Sequence, residues 1–345
     1  MKAAEITIIF GGTGFIGTHL AQHLLRERLS GKIILADLNP PRTEPYAATL
    51  QTALKTGQAE FVHLDVRKPI PSDMLPARAD LVFNLAAVHR EPGHQPREYF
   101  ETNLYGAENV CAWAAAAGCE RLVFTSSISP YGSSEEKKDE DSLPLPETPY
   151  GSSKLAAEKI HLVWQAGDRN RRLLILRPGV VFGPGEQGNV TRLVRSLVCG
   201  YFVYVGNRKT RKAGGYVKEL CRVVQFGLEH QERTGEAVTL FNFSFDPTPT
   251  LENFVDAIRG VAGIRRSPTA APRTFLLGFS YPIDLIARAF GIRQSINPVR
   301  IRKLFRSTWI EPLRLRDLGY DWLYGLESAF EDWKRTSPQD FAGKI

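Results

Sequence analysis

A phenol and an ammonium one helical turn apart carry the first chemical signal in this chain. Tyr150-Gly151-Ser152-Ser153-Lys154 sets them at i and i+4, and on a helix those positions share a face. A lysine cation beside a phenol favours the phenolate and lowers a pKa that starts near ~10. Tyr150 is therefore a candidate general base near neutral pH. Upstream, Phe124-Thr125-Ser126-Ser127 closes an apolar run. Its last serine can hydrogen-bond a substrate oxygen that loses and regains a proton. A lone Tyr–Lys pair also occurs on many solvated helices. What raises this one is its order after a strand-terminal serine run and, earlier still, a glycine-rich turn.

That turn is Gly11-Gly12-Thr13-Gly14-Phe15-Ile16-Gly17, directly after the apolar run Glu5 to Phe10. Gly11, Gly14 and Gly17 form GxxGxxG, a spacing variant of the dinucleotide fingerprint. Such glycines permit a tight turn, backbone approach to a pyrophosphate, and close helix–strand packing. The helix that follows directs its N-terminal N–H groups at the phosphates. Asp37 ends the next strand, 20 residues after Gly17, where a carboxylate accepts hydrogen bonds from ribose hydroxyls and repels a 2′-phosphate. The expected cofactor is NAD rather than NADP, with its nicotinamide charge favouring a Tyr150 phenolate. Asp65, at the end of the third strand, is placed to meet the adenine. A plain tight turn would not require strand, spacing and Asp37 to agree.

The elements that must position these groups alternate. Strands are expected at Glu5–Phe10, Lys32–Asp37, Glu60–Val66, Asp80–Ala87, Arg121–Ser126 and Arg172–Pro178. Helices are expected at Ile16–Leu29, Arg97–Gly118 and Tyr150–Gly167. The pattern means βαβ units and a parallel sheet, with the site at the carboxyl ends of its strands. The fold class is α/β, a Rossmann-type doubly wound parallel sheet with a smaller, mostly helical C-terminal substrate domain. Residues 1–178 form the NAD-binding part, with returning pieces near 216–245. Residues 179–215 and 246–345 form the substrate part. The acidic stretch Glu135 to Asp141 reads as a solvated excursion.

With these residues in place, the chain resembles the extended short-chain dehydrogenase/reductase family, in its epimerase/dehydratase group. The resemblance rests on GGTGFIG at 11–17, Asp37, Asp65, NLAA at 84–87, Asn103, FTSSISPYG at 124–132, PYGSSK at 149–154 and LRPGVVFGPG at 176–185. It implies Ser127, Tyr150 and Lys154 as the catalytic triad. It assigns Gly11, Gly14, Phe15, Ile16, Gly17, Asp37, Asp65, Val66, Asn84, Leu85, Ala86, Ala87, Asn103 and Arg177 to the cofactor or its support. It also implies a homodimer through the helices of 97–118 and 150–167.

Family members that eliminate water usually carry Asp-Glu just after the catalytic Thr. Here Ile128-Ser129 stands there, so a dehydratase is disfavoured. A 4-epimerase needs one base, one cofactor, and room for a 4-keto sugar to turn. The run from His89-Arg90 through Gly188-Asn189-Val190 to Arg211-Lys212 and Tyr216-Val217 is similar to bacterial 4-epimerases. Those act on N-acetylhexosamines carried on nucleotide or polyprenyl diphosphates. By that likeness Asn189, Arg211 and Lys212 contact the diphosphate, and His89 and Arg90 line the substrate pocket. A solvated basic loop is the plainer reading of Arg211 and Lys212. Lys218-Glu219 replaces an expected Asp and is read as structural. A net dehydrogenase or reductase of a keto-sugar or steroid-like substrate is the alternative, and a non-catalytic NAD-binding regulator a third.

Composition sets the remaining bounds. The 345 residues are 43% hydrophobic with a net charge of +7, which excludes a disordered chain. Residues 265–316 hold 11 Lys/Arg and 2 Asp/Glu, a net +9, so the rest sums to −2. A charge so localised speaks against nucleic acid and for phosphate or a membrane surface. The segment Phe275 to Ile292 is apolar with a polar face beside that basic cluster, suiting either a packed core helix or peripheral contact with a membrane. It is too short and charged to span. Four scattered cysteines and no signal peptide point to a reducing, cytoplasmic location. His19 and His23 lie at i, i+4 without a third ligand, so no metal is expected.

Overall fold

A computed structural model describes residues 2–90, 93–271 and 306–343. Strands β1 (Ala4–Phe10), β2 (Ser30–Asp37), β3 (Ala59–His63), β4 (Leu81–Asn84), β5 (Arg121–Thr125), β7 (Arg172–Pro178) and β11 (Val238–Phe243) form one sheet. Its order is β3-β2-β1-β4-β5-β7-β11 and every pairing is parallel. The chain runs outward from β1 to β3, then crosses back to lay β4 on the other side of β1. The β1/β4 gap at the carboxyl ends is the topological switch point of such a sheet.

Both faces are covered, so the strands are apolar throughout rather than alternating. Ile9, Val123 and Leu174 join a core with Leu20 and Leu24 of α1 (Phe15–Arg26), Leu50 of α2 (Ala48–Thr56) and Val224 of α6 (Val217–Thr234). Their strand neighbours Ile8, Leu122 and Ile175 face the other way. There they meet Val110 and Ala114 of α3 (Pro96–Ala116) and Ala157 and Trp164 of α4 (Pro149–Ala166). A further core gathers the rest of the chain. Phe182 of β8 (Val180–Phe182), Val194 of α5 (Asn189–Val198), Tyr204 of β9 (Tyr204–Val205), Tyr216 of β10 (Gly214–Tyr216) and Val255 of α7 (Leu251–Ala262) all enter it. Phe330 and Trp333 of α9 (Leu326–Thr336) complete it. The α5 contribution is a plain amphipathic stripe, Val190, Val194 and Leu197.

Some element boundaries move. Helix α1 stops at Arg26 rather than Leu29, because Arg28 turns into the left-handed region at φ 54 and Leu29 N returns to Leu24 O. β3 ends at His63 and β4 at Asn84, so Asp65 and the Leu85–Ala87 stretch belong to the loops of the crevice. The acidic stretch is a correction. Ser134–Lys138 is strand β6, pairing in parallel with β13 (Thr308–Ile310). Glu135 accepts Ser307 N at 3.0 Å, and Glu140 accepts Asn242 N at 2.8 Å and the N–H of Arg314 in α8 (Leu313–Asp317) at 3.3 Å. Glu135, Glu136, Lys137 and Asp141 are exposed as a solvated stretch would be, but Glu135 and Glu140 accept backbone donors from distant segments, and burial pushes the Glu140 carboxyl up. The membrane-facing expectation for Phe275 to Ile292 falls outside the described residues.

Candidate active site

The glycine turn is built by close approach. Gly11 has φ +76, and a Cβ there would lie 2.7 Å from Ala86 N. The turn after β1 is thus pressed on the loop after β4. A Cβ on Gly17 would lie 2.5 Å from Gly11 O, so the first turn of α1 packs flat on the turn that precedes it. Gly14 caps α1 without a side-chain hydrogen bond, and no acid occupies the first turn. The helix start, with its free donors and positive end, is left to a ligand. Beside it, Asp37 accepts Thr13 N at 3.2 Å and Leu38 N at 2.7 Å, which holds the carboxylate at the tip of β2. Asp65 is occupied differently: Arg67 grips it through Nε and Nη2 at 2.7–3.0 Å and holds its carboxyl below the usual range. Val66 is buried and its carbonyl takes Asn109 Nδ2 at 2.8 Å. Asn103 ties the β4 loop to α4, accepting Val88 N at 3.1 Å and donating to Ser153 Oγ at 2.8 Å.

Thr148 starts α4, its Oγ1 accepting Gly151 N at 3.1 Å with Pro149 in the first turn. Tyr150 therefore sits at the very beginning of the helix. A Cβ on Gly151 would lie 2.6 Å from Ser129 O, so that beginning is seated on the turn after β5 that also carries Ser127. Ser127 Oγ accepts Ser129 N at 3.1 Å and faces Ser129 Oγ at 3.1 Å. One turn along α4, Lys154 is 2% exposed. Its Nζ donates to Thr125 O at 2.8 Å and lies 4.8 Å above the Phe124 ring. Burial lowers its pKa to about 7, with the Glu158 carboxylate opposing. The Tyr150 ring lies 6.0 Å from that of Tyr99.

Arg177, expected beside the cofactor, turns its guanidinium into α4. It binds Glu158 through Nε at 2.8 Å and Nη2 at 2.6 Å, and lies 4.7 Å over the Tyr131 ring. Ser126 Oγ donates to the same carboxylate at 2.5 Å. Asn84, at the end of β4, donates to His161 Nε2 at 3.1 Å, and His161 Nδ1 donates to Ala157 O at 2.7 Å. The His161 ring stacks on Phe124 at 4.0 Å, and burial lowers its pKa to about 4.

The substrate-side residues are spread. His89 and Arg90 are exposed in the loop after β4; desolvation of the His89 ring lowers its pKa, and Arg90 lends its carbonyl to Tyr99 Oη at 2.6 Å. Asn189 opens α5, is exposed, and accepts Arg192 Nη2 at 2.8 Å. Arg211 donates to Thr248 O and lies 5.1 Å over the Trp309 ring. Lys212 donates to Arg306 O at 2.7 Å, and burial lowers its pKa to about 8. Both cations are thus bound to backbone carbonyls of their own chain, outside its strands. Lys218 and Glu219 are likewise structural. Lys218 binds Asp332 at 2.6 Å, and Glu219 accepts Tyr320 Oη and Tyr324 N. Within the basic segment, Arg306 pairs with Glu147, Arg314 with Glu236, and Arg316 with Asp246. His19 Nε2 donates to Pro184 O at 2.8 Å, and among the described residues no three His, Cys, Asp or Glu side chains gather.

Against known proteins, residues 7–240 match the NAD dependent epimerase/dehydratase family. The chain belongs to that family. This epimerase/dehydratase family member is 24% identical over 335 residues to N-acetyl-alpha-D-glucosaminyl-diphospho-ditrans,octacis-undecaprenol 4-epimerase of Escherichia coli O157:H7, covering 97% of this chain and 95% of that one. It is 26% identical to 3beta-hydroxysteroid-dehydrogenase/decarboxylase isoform 1 of Arabidopsis thaliana, over 95% of this chain and 78% of the other. Among solved structures, UDP-glucuronic acid 4-epimerase from Bacillus cereus in complex with NAD superposes with a TM-score of 0.74 at 18% identity, covering 98% of this chain and all of that one.

The cofactor is NAD, and the cradle fits it. Gly11 and Gly17 let the turn close on the β4 loop and on α1, the α1 N-terminus carries no side-chain cap, and Asp37 presents acceptors beside it. Sequence reasoning missed Glu158, His161 and the pairing of Asn84. Glu158 had a signal, since it stands at i+4 from Lys154 and its partner Arg177 ends the neighbouring strand. His161 had none beyond lying on the same helix face.

Proposed function

We propose that the protein is an NAD-dependent 4-epimerase of a sugar carried on a diphosphate, its sugar an N-acetylhexosamine and its carrier a nucleotide or a polyprenol. The observation that carries this reading is the single acid–base unit at the strand ends. Tyr150 and Lys154 stand on α4 with Ser127 on the turn beneath them, and Ile128-Ser129 supplies no acid for elimination. Epimerisation at one carbon needs only one proton shuttle. The E. coli relative's substrate supports the sugar and its diphosphate.

In this reading Ser127 Oγ and Tyr150 Oη hold the sugar's 4-oxygen. The Lys154 ammonium stabilises the phenolate, Tyr150 accepts the hydroxyl proton, and Tyr150 returns it after the keto sugar has turned its other face. NAD, when bound over Gly11–Gly17 and Asp37, supplies the hydrogen acceptor and donor for that carbon. The further core around Phe182 and Trp333 forms the substrate-binding part, with His89, Arg90, Asn189, Arg211 and Lys212 as the proposed contacts. A second copy of the chain covers the outward face of α3 and α4, where Tyr105 is 54% and Val163 74% exposed. No helix among the described residues is long and apolar enough to cross a membrane, and the lipid-linked carrier would be met at a membrane surface.

Incubation with UDP-N-acetylglucosamine and with its undecaprenyl-diphosphate counterpart tests the proposal. Inversion at the sugar's C4 without net NADH is expected from at least one. Net NADH formation on a hydroxylated substrate, with no inversion, supports instead the dehydrogenase reading that the Arabidopsis relative brings.

A further inference from the structure

Glu158 is not used by the proton shuttle, yet it is buried at its centre, 2% exposed. Tyr150, Lys154 and Glu158 follow one another at i, i+4 and i+8 on the buried side of α4, so Glu158 is one turn from the lysine and two from the phenol. Its carboxylate is fully engaged. Arg177 binds both oxygens in the forked geometry that fixes orientation, and Ser126 donates to one of them. Ser126 in turn follows Thr125, whose carbonyl takes the Lys154 Nζ. One dipeptide at the end of β5 therefore ties both side chains.

A buried ammonium loses its proton unless a negative charge lies near. The charged or titratable groups around Lys154 are Tyr150, Glu158 and His161 on α4, Arg177 on β7, Tyr131 in the turn after β5, and His89 after β4. His161 and His89 are pushed toward their neutral forms by desolvation, and the Tyr131 phenol is raised. Arg177 meets the carboxylate from β7 while Lys154 stands one turn before it on α4, and the carboxylate is the pole of that ion pair that acts on the lysine.

We propose that Glu158 is a positioning residue for proton transfer: clamped by Arg177 and Ser126, its carboxylate keeps the Lys154 ammonium protonated and so keeps Tyr150 a base. This rests on the roles given to Tyr150 and Lys154 under the proposed function. The balance is simple. No bond is made or broken at Glu158; the proton stays on Lys154 Nζ while another moves to and from Tyr150 Oη. Glu158 also repels the phenolate directly, but across eight residues, about 12 Å of helix rise, against about half that to the lysine. The effect through Lys154 therefore dominates.

The test is the phenolate absorbance titration of the NAD-loaded protein, read as the difference from Tyr150→Phe, which needs no substrate. Glu158→Gln is expected to raise the Tyr150 titration by about one pH unit, and Glu158→Asp, which keeps the charge, to return it. An unmoved titration in folded Glu158→Gln overturns the proposal. Should that variant fail to fold because Arg177 is left unpaired, Glu158→Gln with Arg177→Met removes both charges, and the same upward shift is expected. Failure of both to fold makes Glu158 a scaffold residue and overturns the proposal too. If the wild-type difference shows no tyrosine titrating below pH ~9, where an unperturbed phenol starts near ~10, it is the Tyr150 assignment that falls, and with it the basis of the proposal.

Discussion

In the proposed mechanism Tyr150 and Lys154 do different jobs, and substitution separates them. Tyr150→Phe keeps the ring and its packing near Tyr99 but removes the proton acceptor. It is expected to bind NAD as the wild type does and to lose turnover by roughly 10²–10⁴-fold, as a coupled C4-inversion assay would read. Lys154→Met keeps the apolar stem above Phe124 and removes the ammonium. Its loss should be greatest near neutral pH and partly recovered at high pH, where the phenol ionises unaided. These two residues were legible from the sequence because their relation is local, one turn of one helix. Arg177 was legible as a residue of the site but not in its direction. Which way a guanidinium points is decided by where a carboxylate lies, and Glu158 reaches it only once α4 is laid across β7.

At the scale of elements, the β1 turn and α1 form a rigid cradle whose tolerance can be measured. Gly17→Ala places a methyl against Gly11 O, backbone against backbone. It is expected to weaken NAD binding more than 10-fold and to lower stability, by calorimetric titration and urea unfolding. The pairing of β6 with β13 makes a second, separate prediction. Glu140→Ala leaves the buried N–H groups of Asn242 and Arg314 without their acceptor, costing about 1–3 kcal/mol in urea unfolding, with NAD affinity unchanged. The βαβ units were readable because the period of their apolar residues belongs to each segment alone. β6 was not. Its partner strand is more than 170 residues away, and a strand of two acids and two lysines after one serine, exposed along Glu135–Lys137, carries no apolar period to announce it.

For the whole molecule, two buried histidines set the behaviour in acid. His19 and His161 are each lowered by burial from 6.5 to about 4. Between those values the unfolded chain binds more protons than the folded one, so stability falls as pH drops from 6.5 toward 4. The slope is about 1.4 kcal/mol per pH unit for each of these two histidines; His23 and His89, also lowered by desolvation, act in the same direction, and His161→Gln should remove one histidine's share in urea unfolding taken across that window. Assembly offers a different measurement. Val163→Asp puts a charge on the exposed face of α4; if the proposed second copy covers that face, the wild type sediments as a dimer and this variant as a monomer, with NAD binding unchanged. Of the basic segment 265–316, Arg306, Arg314 and Arg316 find carboxylates, while its cations from Arg273 to Lys303 lie outside the described residues. Counting charges along a chain cannot show which of them are already matched.

The late residues of the chain also close the early core. Leu315 and Tyr320 belong to the same packed cluster as β1, α1 and α6, and Asn242 Nδ2 reaches Glu311 O at 3.1 Å. The nucleotide-binding half is therefore not a module that can be cut free. A fragment ending near residue 245 would expose apolar surface from its main core and strand β6 without a partner. Proteolysis of the intact chain should therefore find no stable fragment of that size.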